Sequence, residues 1–294
     1  MPWIEKCLQS CGDHSIVVVD NNSSDRTVSS IQQHFPKVKV LSQNENLGFG
    51  QANNLGITYA LNNGAEYVFL LNQDAYLEQG GIEKLIEIHK CEPELGILSP
   101  VHLNGSGRLL DRNFSYYLGY DNNANFYSDA IFQRWQRFYE VPFVNAAAWL
   151  LPKSTLLKVG GFDPLFFHYG EDDNYCQRLR FHNLKIAVVP AVYIKHDRED
   201  RLLKNAQRNS ANQVIEYERK IKLLYADVNS ERIREVPIKI KKLALRRKKA
   251  LLTGKWQHAE KLRQERELYE KLYPDMEISY TTNQKIGSHY LGLS

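Results

Sequence analysis

Short apolar runs alternate with helical patterns over the first hundred residues. The runs predict strands at 15–20, 38–41, 67–71 and 96–103, and the segments between them predict helices at 25–34, 50–62 and 81–90. Runs such as VVV and VFLL are continuously apolar, which is typical of strands that are buried on both faces. This order predicts an α/β domain with a mostly parallel sheet flanked by helices.

The pattern changes twice further along the chain. Residues 104–140 are rich in Asn, Tyr, Phe and Ser without clear periodicity, and they indicate a long loop with a hairpin or short helix that could face a substrate. A helix near 153–159, an acidic helix at 171–182 and strands at 185–189 and 193–196 follow. Beyond residue 200 we expect charged helices at 205–225, 233–252 and 255–273, and a loosely held C-terminus. The sequence therefore predicts a sheet domain over residues 1–200 and a helical, basic extension over residues 201–294.

The composition narrows the class of protein. The 294 residues are 43% hydrophobic and 24% charged, as in ordinary globular proteins. No apolar run approaches the roughly 20 residues of a spanning helix. The N-terminus has no secretory signal pattern, so we expect a cytoplasmic protein. The four cysteines show no repeated metal-ligand spacing and predict no disulfide framework.

The net charge of +4 is unevenly distributed. Between Glu235 and Glu260 no acidic residue occurs, whereas eight basic residues do: Lys239, Lys241, Lys242, Arg246, Arg247, Lys248, Lys249 and Lys255. Such a run could contact anionic membrane lipid, or it could simply be the solvated face of a helix. A nucleic-acid partner is disfavoured, because no aromatic platform accompanies the charge.

Polar residues follow two of the predicted strands. Ligands of open α/β sheets bind at the carboxyl ends of the strands. Asp20, with Asn22 close by, could contact a nucleotide, and Asp74, with Asn72 close by, could hold a divalent cation. The alternative is a purely structural role, in which the polar residues 23–25 merely cap the next helix.

Two glycines accompany a helix start in NENLGFGQANN, residues 44–54. Glycine lets the backbone approach a phosphate or sugar closely, so Asn46, Gly48 and Asn53 are candidate donor-binding residues. The segment is neither a Walker loop nor a dinucleotide fingerprint, so an ordinary loop is the alternative.

Three consecutive carboxylates, Glu171, Asp172 and Asp173, open the acidic helix. Acidic residues in a first turn offset the helix dipole, but three exceed what capping requires. Neighbouring like charges raise each other's pKa, so one carboxylate could act as a general base. Successive helix residues point about 100° apart, so the three cannot face one ligand. His196 ends the last predicted strand and could be a metal ligand.

Taken in order, five segments resemble the family 2 glycosyltransferases with the GT-A fold, and most closely their rhamnosyltransferase-like bacterial branch. These segments are VVVDNNSSD, NENLGFGQANN, LLNQDA, GGFDP and YGEDDNYCQRL. The resemblance covers roughly residues 3–200. It implies inverting hexosyl or rhamnosyl transfer from a nucleotide-diphosphate sugar to a hydroxyl of a glycan or lipid-linked acceptor in surface polysaccharide synthesis. It also implies a divalent cation, Mg²⁺ or Mn²⁺.

The resemblance implies roles for single residues. Asp20 matches the position of an Asp that contacts the nucleobase, and Asp74 matches the last Asp of the metal-binding D-x-D motif. Asp172 matches the catalytic base, with Glu171 beside it on the acceptor side. His196 matches a His that completes the metal shell.

Two departures from the family pattern leave alternatives open. The D-x-D motif reads Asn72, Gln73, Asp74, so we expect weaker metal binding. The family's first apolar strand has no counterpart in this sequence, so we expect an interrupted sheet with unpaired backbone and weaker donor binding. A non-catalytic relative that binds sugar or a partner enzyme is therefore an alternative. A nucleotidyltransferase is disfavoured, because no Gly-rich basic loop follows the first strand.

Overall fold

The computed structural model describes residues 3–198 and 210–293. They divide into two compact units, one made of residues 3–198 and 286–293 and the other of residues 210–285. No helix in the described part of the chain is long and apolar enough to cross a membrane.

The first unit combines two sheets with helices. Its helices are α1 (Ile4–Ser10), α2 (Thr27–His34), α3 (Gly48–Asn62), α4 (Gly81–Cys91), α5 (Arg112–Tyr117), α6 (Phe126–Phe132), α7 (Lys153–Val159) and α8 (Glu171–Phe181). Its strands are β1 (Val17–Asp20), β2 (Lys39–Ser42), β3 (Tyr67–Leu71), β4 (Ala75–Leu77), β5 (Leu95–Asn104), β6 (Tyr139–Glu140), β7 (Ala148–Pro152) and β8 (Lys185–His196).

The larger sheet is mixed, where the sequence predicts a mostly parallel one. Its order is β3-β7-β5-β8-β4, with β6 also paired to β8. Among the described strands, only β5 and β8 pair in parallel within this sheet, and its four other pairings are antiparallel. The difference arises because β7 inserts between β3 and β5 in the opposite direction, and a continuous apolar run carries no signal of direction.

The strand ladder is interrupted between β1 and β3. Within the described residues β1 pairs only with β2, in parallel, and β3 pairs only with β7. Helix α3 spans both sheets: Gly56 lies against Val19 of β1, and Ile57 belongs to the same buried cluster as Leu70 of β3. Side-chain packing therefore connects the two sheets where hydrogen bonds between strands do not.

Most predicted elements of this unit are present within a few residues of their expected bounds, and β3 and α7 match them fully. The irregular segment 104–140 forms α5, α6 and β6. The two strands predicted at 185–189 and 193–196 are one continuous strand, β8. Three strands of this unit are not predicted: β7, and the two short strands β4 and β6, which are only three and two residues long.

The C-terminal residues 286–293 pack on the first unit, so the expectation of a loose chain end is wrong. Gly161 donates its backbone N–H to the carbonyl of His289 at 2.8 Å, and the Tyr290 hydroxyl donates to Asp163 Oδ2 at 3.2 Å. Leu291 is 9% exposed and joins the main apolar cluster. These contacts are distant in sequence and leave no periodic pattern.

The second unit is helical. It contains α9 (Ser210–Tyr225), α10 (Glu235–Leu252) and α11 (Trp256–Asn283), and α10 packs against α11. Part of the helix predicted over 205–225 lies outside the described residues.

Helix α3 and the segment before α8 interlock closely. Asn54 is buried, donates to the Phe162 carbonyl at 2.8 Å and accepts from the Phe162 N–H at 2.7 Å. A Cβ on Gly50 would lie 2.8 Å from Phe162 Cβ, and a Cβ on Gly48 would collide with the backbone carbonyl of Phe167. Only glycine allows this approach, and Gly48 also has a φ of 78°.

We predict that Asn54→Ala lowers the free energy of unfolding by about 2–5 kcal/mol, because it leaves two buried backbone groups of Phe162 unpaired. Urea unfolding followed by circular dichroism measures this. Asn63→Ala is the matched control, since the Asn63 amide also bonds to a backbone carbonyl of α3 but is exposed. Equal stability losses in the two variants would contradict the interlock.

Candidate active site

Asp20 lies at the carboxyl end of β1 and is 7% exposed. Its Oδ2 accepts the N–H of Ser23 at 3.2 Å, so the carboxylate organises the turn that follows the strand. Asn22 in this turn is exposed and has a φ of 65°. The turn thus leaves Asn22 accessible beside a nearly buried Asp20.

Asn21, which follows Asp20 directly, ties this turn to the segment 44–48. Its Nδ2 donates to Asn46 Oδ1 at 2.8 Å, and its Oδ1 accepts the Leu47 N–H at 2.8 Å. Asn46 Oδ1 also accepts from the Gly48 N–H at 2.9 Å. Asn53 donates to the carbonyl of Phe49 at 2.9 Å, within α3. The residues of this segment that were predicted to bind a sugar donor therefore have hydrogen-bond partners inside the protein. Their contact with a sugar donor stays a prediction.

The pairing of β4 with β8 brings Asp74 and His196 together. Ala75 lies opposite His196 in this antiparallel pair, so Asp74, one residue earlier, lies beside the imidazole. Asp74 Oδ1 is 3.6 Å from His196 Nε2, and the residues are 4% and 1% exposed. Asn72 is half-buried, and its carbonyl accepts the Ala75 N–H at 2.9 Å.

Asp111, which sequence reasoning missed, lies on the other side of His196. Its Oδ2 is 3.9 Å from His196 Nδ1. It caps α5 by accepting the Phe114 N–H at 2.9 Å, and it accepts two hydrogen bonds from the Arg198 guanidinium at 2.8 Å and 2.5 Å. The carboxylate therefore fixes the start of α5 and the Arg198 side chain, and it lies close to one ring nitrogen of the imidazole.

The pair Asp74 and His196 fits a divalent cation. Two ligand atoms that are each about 2.1 Å from one ion lie roughly 3.0 Å apart at right angles and roughly 4.2 Å apart when opposed. Their observed separation of 3.6 Å falls in this range. No cluster of three or more His, Cys, Asp or Glu side chains suited to a metal occurs among the described residues. Substrate phosphates and water would therefore have to supply the remaining ligands, as is common for Mg²⁺.

The carboxylates of α8 differ in environment. The helix begins at Glu171, directly after Gly170 with a φ of 97°. Glu171 is 5% exposed and packs next to Gly50, whereas Asp172 is half-buried. Burial raises the pKa of Asp172 to about 6, and the negative charge of Asp173 adds to the effect. Asp172 is therefore a stronger base than an ordinary aspartate and is still ionised at neutral pH.

Helix α5 connects these two groups. Its Asp111 cap contacts His196, and Tyr117 at its last turn feels the charge of Asp172. Burial raises the pKa of Tyr117, and the charge of Asp172 raises it further. The start of α5 therefore lies next to the Asp74 and His196 pair, and Tyr117 in its last turn lies near enough to Asp172 to feel its charge.

Comparison with known proteins assigns the family. The model of glycosyl transferase family 2 matches residues 2–150, half of the chain. This chain belongs to glycosyl transferase family 2.

Relatives of this family 2 chain include bacterial rhamnosyltransferases. It is 26% identical to the N-acetylglucosaminyl-diphospho-decaprenol L-rhamnosyltransferase of Mycobacterium tuberculosis, over 62% of this chain and 66% of the relative. It is 23% identical to the rhamnosyltransferase WbbL of Escherichia coli K12, over 66% of this chain and 78% of the relative. The chain thus spans slightly less than two thirds of the mycobacterial relative's length.

The family 2 chain has the GT-A fold. It is similar to the crystal structure of GalNAc-T7 with UDP, GalNAc and Mn²⁺, with a TM-score of 0.50 and 12% identity over 66% of this chain and 41% of that one. The predicted family and fold are confirmed.

We predict that Asp172→Asn stabilises the family 2 chain by about 1–3 kcal/mol at pH 8, because it removes a charge that burial disfavours. The folded carboxyl has its pKa raised, so its ionisation lowers stability as the pH rises from about 4 through about 6. The gain should therefore shrink as the pH is lowered towards 4. Urea unfolding across this range measures it, with the exposed Asp121→Asn as control. Destabilisation by Asp172→Asn at pH 8 would show that the charge is well solvated.

Proposed function

We propose that this chain is an inverting glycosyltransferase that moves a hexosyl or rhamnosyl group from a nucleotide-diphosphate sugar to a hydroxyl of a glycan or lipid-linked acceptor in surface polysaccharide synthesis. The observation that carries the proposal is the close approach of Asp74 and His196 beside the start of α5, and it is supported by the raised pKa of Asp172, whose charge reaches Tyr117 in the last turn of α5. Six helical residues span about 9 Å, which is the scale of a diphosphate and the sugar attached to it. The names of the relatives support sugar transfer in glycan synthesis.

Asp172 takes the role of the base in this proposal. Above pH 6 its carboxylate accepts the proton of the acceptor hydroxyl while the oxygen attacks the anomeric carbon. The bond from that carbon to the diphosphate oxygen breaks on the opposite side, so a single displacement inverts the configuration. Glu171, which is buried against α3, supports the position of the base on the acceptor side.

Asp74 and His196 would hold the divalent cation, Mg²⁺ or Mn²⁺. When bound, the cation offsets the negative charge that develops on the departing diphosphate. The similar GalNAc-T7 structure contains Mn²⁺ and UDP, which supports this part of the proposal. Asp111 would accept a hydrogen bond from the far side of the imidazole, as carboxylates commonly do behind metal-bound histidines.

The donor would lie between the β1 turn and the end of β3. Asp20 is proposed to contact the nucleobase, with Asn22 exposed beside it, and Asn72 and Asp74 to contact the diphosphate side. Asn46, Gly48 and Asn53 shape the wall of this region through the bonds described above.

A non-catalytic relative that binds sugar or a partner enzyme is the second candidate. Two observations favour it: an amide, Asn72, replaces the first carboxylate of the metal motif, and the sheet is interrupted between β1 and β3. Hydrolysis of a nucleotide-sugar donor in the absence of an acceptor distinguishes the two candidates, because only an active enzyme hydrolyses the donor.

We predict slow hydrolysis of one member of a panel of nucleotide sugars in the presence of Mn²⁺. Asp172→Asn and Asp74→Ala should each lower the rate by about 100-fold, because they remove the base and a cation ligand. The wild-type rate should fall as the pH is lowered through about 6. Release of nucleoside diphosphate measures the rate, and Asp121→Asn is the control. Unchanged rates in both site variants would refute the roles given to these residues.

We also predict that Asp111→Asn weakens Mn²⁺ binding by about 10-fold, because it removes the charge behind His196. Asn caps a helix about as well as Asp, so the start of α5 should persist. Electron paramagnetic resonance of free Mn²⁺ gives the affinity. Asp129→Asn is the control, since Asp129 is also buried and accepts from Tyr139 and Gln136. If both variants bind Mn²⁺ as the wild type does, Asp111 does not support a cation ligand.

A further inference from the structure

We propose that the outer face of α10 docks on an anionic lipid surface. The face is defined by an apolar stripe, Ile238, Leu245 and Leu252, framed by Lys241, Lys242, Lys248 and Lys249. The inference concerns the second unit alone and does not rest on the proposed enzymatic activity.

The apolar stripe of α10 is exposed. Ile238, Leu245 and Leu252 are spaced seven residues apart, so they lie on one side of the helix. Their exposed fractions are 54%, 65% and 88%. Three large apolar side chains in a row along about 20 Å of helix are more than the scattered apolar residues of an ordinary surface.

The opposite side of α10 already supplies the packing of the unit. Val236, Leu243 and Ala250 are buried and also lie seven residues apart. Each precedes a residue of the exposed stripe by two positions, which is about 200° around the helix. The outer stripe is therefore not needed for the core of the unit.

Lysines flank the outer stripe along its length. Lys241 and Lys242 lie three and four residues after Ile238, and Lys248 and Lys249 lie three and four residues after Leu245, so one lysine of each pair lies on each side. All four are exposed, and none forms a salt bridge within the part of the chain that the structure describes. No acidic residue occurs between Glu235 and Glu260 to neutralise them.

Lys239 is different from the other basic residues of this run. Its Nζ donates to the Tyr269 hydroxyl at 2.6 Å and lies 3.6 Å from Glu265. Lys239 therefore stabilises the contact between α10 and α11. Its charge faces α11 and does not belong to the outer face of α10.

The chemistry of the face matches a lipid surface better than other partners. Lysine stems extend along apolar surface while their ammonium groups stay at the level of the headgroup phosphates, and Leu and Ile enter the acyl boundary. A nucleic-acid backbone would satisfy the lysines but leave the apolar stripe uncovered. If a second copy of the same face were the partner, the four lysines of one copy would lie against the four lysines of the other and repel them. An anionic bilayer satisfies both components, with α10 lying in the interface plane.

The test is co-sedimentation of the full chain with vesicles of phosphatidylcholine alone and of equal parts phosphatidylcholine and phosphatidylglycerol. We expect binding to the mixed vesicles only. Leu245→Ser and the double variant Lys241→Gln with Lys248→Gln should each weaken the partition coefficient about tenfold. Binding should also weaken as salt is raised.

Matched variants separate this face from nonspecific adhesion. Ile278→Ser removes an apolar side chain of α11 that is 65% exposed, the same fraction as Leu245. Lys261→Gln with Lys271→Gln removes two exposed charges of α11. Both controls should bind as the wild type does, and thermal melting should show all variants folded.

Several results would overturn the proposal. They are equal binding to both kinds of vesicle, no loss in either variant of the α10 face, or an equal loss in the controls. Binding to single-stranded RNA that depends on the lysines but not on Leu245 would assign the face to nucleic acid instead. Loss of a dimer in sedimentation equilibrium on Leu245→Ser would assign it to a second copy of the chain.

Discussion

The candidate site depends on the close approach of α3 to the segment that leads into α8. Asn54 satisfies both backbone groups of Phe162, and Gly48 and Gly50 allow the backbone and side chains of this segment to lie directly on α3. Helix α3 also contacts β1 and β3, which share no strand pairing in the described residues. One helix therefore fixes the β1 turn, the larger sheet and Glu171 relative to one another.

The polar centre of the first unit follows from strand register and from one helix cap. The pairing of β4 with β8 places Asp74 beside His196, and Asp111, which caps α5 and binds Arg198, lies 3.9 Å from the other ring nitrogen of that imidazole. Asp74, Asp111 and His196 are almost fully buried, so the fold tolerates charge that is expensive to desolvate. The raised pKa of Asp172 has the same origin. Burying these charges lowers the stability of the fold, and such a loss is typical of functional sites.

The sequence predicts the regular elements well where the local pattern is strong. The apolar run of β3 and the helix α7 have their expected bounds, and α8 begins at its acidic residues as expected. The mixed sheet was not predictable, because no strand was predicted over β7 and an apolar run carries the same signal in either orientation. Asp111 and Asn54 were missed for a different reason. Arg198 lies 87 residues from Asp111, and Phe162 lies 108 residues from Asn54, so no local spacing connects them. An Asp before an Arg-Asn-Phe helix start inside the irregular segment 104–140 is the only local signal of the cap.

The central claim is that Asp74 and His196 form the cation side of a single catalytic centre. The most direct measurement is the anomalous diffraction of Mn²⁺ in crystals grown with the nucleoside diphosphate that best protects the chain against thermal unfolding. The account predicts an anomalous peak in bonding distance of Asp74 Oδ1 and His196 Nε2, with the diphosphate completing its ligands. Bound nucleotide with the Mn²⁺ peak elsewhere, or with no peak at this pair, would contradict it.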